Sequence, residues 1–75
     1  MIGKPKYKRG DKVKFRVMNT NLEGVIEIVD AYGTFEQNSE VSYDIFVESS
    51  PHFAGEPCLY KHVIETKVKG EVNDV

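Results

Sequence analysis

Between Asp11 and Val17 apolar and charged side chains alternate. Val13, Phe15 and Val17 fall on one face and Lys12, Lys14 and Arg16 on the other. A period of two is that of a strand with one buried face. Asn19-Thr20-Asn21-Leu22 follows as turn chemistry, because asparagine tolerates left-handed backbone and hydrogen-bonds its own turn. Gly24 then opens a second strand, where a side chain would obstruct a close crossing or a bulge. In that strand Ile26 and Ile28 share one face, with Val25, Glu27 and Val29 opposite. The run is expected to continue from Ala31 to Phe35 through a kink at Gly33. Residues 36–40 make the next turn.

A third strand is read over 41–48. Val41, Tyr43, Ile45 and Val47 point inward, and Ser42, Asp44, Phe46 and Glu48 outward. Residues 49–57, Ser-Ser-Pro-His-Phe-Ala-Gly-Glu-Pro, break every period and read as a loop. Residues 58–61 form a short fourth strand, 62–65 a single 3-10 turn too short for an α-helix, and 66–69 a fifth strand. Residues 1–9 are a polar lead-in from which Tyr7 tucks against the core, and 70–75 fray. The fold class expected is all-β: a five-stranded antiparallel barrel with a 3-10 turn before the last strand, one domain with its core over residues 7–69.

The blocks Gly10-Asp11-Lys12-Val13-Lys14-Phe15 and Glu23-Gly24-Val25-Ile26-Glu27-Ile28-Val29 resemble the first two strands of KOW- and Tudor-type SH3-like barrels. Leu59-Tyr60-Lys61-His62-Val63-Ile64-Glu65 is similar to their closing strand and turn. The whole resembles small bacterial and phage proteins built on this barrel, which implies a fold and a non-catalytic role but names no ligand. The chain departs from peptide-binding SH3 domains in having no tryptophan for a polyproline groove. A Tudor-like cage would need Tyr32, Phe35, Phe46, Phe53 and Tyr60 to converge.

Composition narrows the classes further. The chain has 75 residues, 40% of them apolar and 29% charged, which suits one small globular core. Its one cysteine, Cys58, cannot form an internal disulfide, so a cytoplasmic setting is expected. The basic start, Met1 to Lys6, precedes no apolar run and does not read as a signal peptide. No membrane span is expected.

Candidate chemistry is sparse. His52, Cys58 and His62 match no common zinc spacing, and no metal or other cofactor is expected. Cys58 and His62, four residues apart, would lie roughly 13 Å apart if extended, with no third group to orient them. There is no phosphate-binding glycine loop and no recognisable pair of catalytic carboxylates. The chain is therefore read as a non-enzyme, a small binding or accessory protein.

Two surfaces compete for that binding role. The first is the outer face of strand three, Asp44, Phe46 and Glu48, with Phe53 in the 49–57 loop, directed at a protein partner. Phe46 is either bare or covered by the lead-in, whose lysines would then meet Asp44 and Glu48. The second is the basic lead-in and first strand, directed at nucleic acid: Lys6, Tyr7, Lys8, Arg9, Lys12, Lys14 and Arg16. Through residue 16 there are seven Lys or Arg and one acid, a net of +6, while the remainder carries three lysines and eleven acids, a net of −8. The bland reading is that these halves neutralise one another across strands. An exposed strand edge also leaves a homodimer open.

Overall fold

In a computed structural model that describes residues 4–31 and 40–72, five strands form one antiparallel sheet in the order β4-β3-β2-β1-β5. They are β1 (Lys12–Val17), β2 (Thr20–Asp30), β3 (Ser42–Ser50), β4 (Glu56–Ile64) and β5 (Val68–Glu71). Single 3-10 turns, Pro51–Phe53 and Glu65–Lys67, precede β4 and β5. The expected all-β class holds. The expected closure does not: β4 and β5 are the two edges of the ladder. The expected kink at Gly33, the turn residues 36–39, Tyr32 and Phe35 lie outside the described residues.

The inner face is built as the alternation requires. Val13 and Phe15 of β1, Tyr43, Ile45 and Val47 of β3, and Tyr60 and Val63 of β4 are all buried in one cluster. The Phe15 and Tyr60 rings meet edge to face at 5.6 Å, so the sheet curls until β1 and β4 touch without sharing a ladder. Gly24 sits where β2 crosses β3: a Cβ there would lie 2.4 Å from the Phe46 carbonyl oxygen and 2.8 Å from Ile45 Cγ2. Only a residue without a side chain fits that crossing.

Several boundaries move. The first hairpin turns on Met18 and Asn19, both at positive φ (49° and 63°), with Val17 paired to Thr20. That is a two-residue type I′ turn, whose twist matches the flanking strands. Residues 20–22, read as turn, are therefore strand. Ser49 and Ser50 complete β3, and Glu56 and Pro57 begin β4, so the expected 49–57 loop shrinks to 51–55. The Ser50 side chain accepts from the His52 amide and caps the 3-10 turn. The second 3-10 turn falls at 65–67 rather than 62–65, and β5 at 68–71 rather than 66–69.

One correction concerns a face. Ile26 pairs with Ile45 and Ile28 with Asp44, so Glu27 is one residue too many on β2. A β-bulge of this kind resets the alternation. Beyond it Val29 and Ala31 turn toward the core, and Ile28, expected inside with Ile26, is 53% exposed. Ser42, expected outward, is buried.

Candidate interaction surface

The bulge at Glu27 creates an apolar patch on the outer face. Ile28 of β2, Phe46 of β3 and Leu59 of β4 line an open depression of about 610 Å³, bordered by Arg9 and Glu27. Phe46 is half-buried and stands between Val25 and Leu59 in the ladders. Leu59 is 37% exposed.

Arg9 reaches this rim through a local turn. Asp11 Oδ2 accepts from the Lys8 amide at 2.9 Å, and the Asp11 amide donates to the Lys8 carbonyl at 3.0 Å. The Gly10 amide donates to Ile26 O at 2.8 Å and the Ile26 amide to Asp11 O at 2.9 Å, which fastens the turn beside β2. The lead-in before it goes elsewhere. The Lys6 amide donates to Glu65 Oε2 at 3.0 Å, and the Tyr7 ring packs edge to face on Tyr43 at 5.8 Å. Tyr7 is thus half-buried against the core, as read for its chain position, rather than presented for base stacking. Of the described lead-in residues, Arg9 lines the depression beside Phe46, while Lys6 and Tyr7 are held against Glu65 and Tyr43.

The remaining protein-contact candidates do not converge. Phe53 is 53% exposed, but its ring stands 6.3 Å from that of Tyr60, which belongs to the inner face. Phe46 belongs to the opposite face of the same ribbon, because Ile45 pairs with Tyr60 and Phe46 with Leu59. Asp44 Oδ1 is engaged by the His62 amide at 3.1 Å. Glu48 is exposed and shares a depression with Lys12, Glu23 and Phe46.

Lys12, Lys14 and Arg16 are exposed along the outer face of β1, while Lys8 and Arg9 occupy the preceding turn. Lys14 stands opposite Glu23 across the ladder. Glu23 is the one carboxylate facing the basic row across this ladder, since Lys12 stands opposite Val25 and Arg16 opposite Asn21.

Cys58 is half-buried against the core and His62 is exposed beyond Tyr60, so the two do not face a common site. Among the described residues no three His, Cys, Asp or Glu side chains are grouped to hold a metal ion. No described helix is long and apolar enough to cross a membrane. Ile28 and Leu59 were not legible as surface residues. The first needs the bulge to turn it out, and the second lies in a strand too short in the sequence reading to assign faces. No protein-family model matches this chain, and no curated protein or solved structure is significantly similar to it.

Proposed function

We propose that this chain is a non-catalytic binding module, a partly open SH3-like barrel that docks a protein partner on the face formed by Ile28, Phe46 and Leu59. The fold part rests on three features: the meandering strand order, the 3-10 turn before β5, and the Phe15–Tyr60 contact between strands that share no ladder. The functional part rests on one observation. Three large apolar side chains from three adjacent strands lie together at the surface, rimmed by Arg9 and Glu27. An apolar centre with a charged rim is the anatomy of a transient protein interface.

The test is affinity capture with the wild-type chain beside Ile28→Asp and Leu59→Asp, each partner identified by mass spectrometry. Burying a residue of this size is worth about 1.5–3 kcal/mol, so either aspartate weakens a true partner at least about tenfold. Partners retained equally by wild type and both variants would sink the reading. Sedimentation at two concentrations shows whether the partner is a second copy.

The second reading is nucleic-acid binding through Lys12, Lys14 and Arg16, favoured by their unbroken exposure on one strand face. Amide-shift titration with a short DNA or RNA at low and moderate salt distinguishes it. Salt-sensitive shifts confined to Lys6–Arg16 favour nucleic acid.

A further inference from the structure

A second surface differs in character from the Phe46 face. Where β1 and β4 curl together without pairing, a groove of about 330 Å³ opens between the first hairpin tip and the end of β4. Its charged side chains are Arg16, Lys61 and Lys67, all exposed, joined by exposed His62. No carboxylate is among the described residues that line it. Its apolar part comes from Val17, Ile64 and Met18, the last 73% exposed.

The fold produces this concentration of cations through a specific distortion. Tyr60 pairs with Ile45 and Val63 with Tyr43, so β4 takes three steps against two on β3. The extra residue forms a bulge, with His62 in left-handed backbone at φ 58° and its amide held by Asp44. A regular strand would send Lys61 and His62 to opposite faces. Here both are exposed and both line the groove.

Two acids on neighbouring segments accept hydrogen bonds outside the described lining. Asp44 accepts from the His62 amide, and Glu65, in the same turn as Lys67, accepts from Tyr43 and Lys6. The cations therefore face solvent with no acid lining the groove beside them, on a chain whose net charge is −2. The three cations of the lining are opposite in sign to the net charge of the chain, which makes the groove complementary to an anion.

We propose that this groove binds an acidic peptide segment carrying one large aliphatic side chain. The three cations and the histidine recognise the carboxylates, and the aliphatic chain lies against Val17, Met18 and Ile64. A peptide fits better than single-stranded nucleic acid, because base binding uses exposed aromatic faces. Among the described lining residues the Tyr60 ring is buried among Phe15, His52 and Phe53, which leaves the His62 imidazole as the one exposed ring a base could stack on.

The experiment is fluorescence anisotropy of the full chain with a labelled short peptide of glutamates and aspartates around a central leucine. The controls are the same peptide with serine for leucine and a labelled single-stranded oligonucleotide of equal length. The proposal expects saturable, salt-sensitive binding of the leucine peptide, weaker binding of the serine peptide, and weaker binding of the oligonucleotide. Lys61→Glu and Lys67→Glu should each weaken binding by up to about fivefold, the scale of one exposed ion pair. Lys12→Glu, an equal change of net charge on the outer face, should leave affinity within about twofold. Leu59→Asp should not alter it, which separates this groove from the apolar face. No binding at low salt, equal loss in Lys12→Glu and Lys61→Glu, or tighter binding of the oligonucleotide would each overturn the proposal.

Discussion

The Tyr43 phenol donates a 2.5 Å hydrogen bond to Glu65 Oε2, and the same carboxylate oxygen accepts the Lys6 amide. Tyr43 is fully buried, and Glu65 lies in the 3-10 turn that leads into β5. One acid thereby ties together the lead-in, the start of β3 and the turn into the last strand. A hydrogen bond to a charged group contributes about 1.5–3 kcal/mol. Glu65→Ala should therefore lower chemical stability by about 2 kcal/mol, read from urea unfolding, and loosen the amide-exchange protection of Lys6 and Tyr7. Unchanged protection at both amides would show that the lead-in is held by other contacts.

The same pair makes stability depend on alkaline pH. Burial, and secondarily the hydrogen bond to the Glu65 carboxylate, push the Tyr43 phenol well above the usual tyrosine range. Between the ordinary value near 10 and the higher folded value, the folded state keeps a proton that the unfolded state has lost. Unfolding then releases a proton, so stability declines as pH rises through that window. Tyr43 contributes its full share below about pH 10. The Tyr43→Phe variant should be less stable than wild type at neutral pH, with a shallower decline above it. Parallel unfolding curves for the two proteins at every pH would contradict this.

Gly24→Ala should destabilise strongly. The added methyl would press on backbone at the β2–β3 crossing, where the Phe46 carbonyl cannot rotate aside. Overpacking in such a place costs about 1–3 kcal/mol. A thermal midpoint within a degree of wild type would show that the crossing relaxes freely.

At the hairpin tip, Met18→Asn with Asn19→Gly should stabilise. Both positions already hold positive φ, which Asn-Gly adopts with less strain than Met-Asn. The gain expected is about 0.5–1 kcal/mol, measured by chemical denaturation. A loss would mean that Met18 contributes packing beyond its turn.

Ser50 and Tyr60 hydrogen-bond to each other inside the β3–β4 ribbon. Removing either hydroxyl leaves the other short of a buried partner, at a cost of about 1–3 kcal/mol. Ser50→Ala with Tyr60→Phe should cost less than the two single changes added together. Additive losses in the double-mutant cycle would show that each hydroxyl is satisfied independently.

The strands themselves were legible in the residues. Val13 and Phe15, or Tyr43, Ile45 and Val47, repeat with a period of two, and a repeated period reports a buried face whatever the partner strand. The basic row of β1 and outward Phe46 follow from the same rule. Missing from that reading were Ile28 at the surface, His62 as part of β4, and the separation of Phe53 from Phe46. Each depends on a bulge or a strand end, and neither leaves a mark on local periodicity.

What the chain determined alone is the alternation within each regular stretch of strand, because alternation and side-chain chemistry are properties of a single segment. Tertiary structure decided the registers between segments: one surplus residue at Glu27 turns out Ile28, and another beside His62 exposes both Lys61 and His62. It also placed Arg16 beside Lys61 and Lys67 across some fifty positions of sequence. A surplus residue is defined only against a partner strand, so no single segment contains the information.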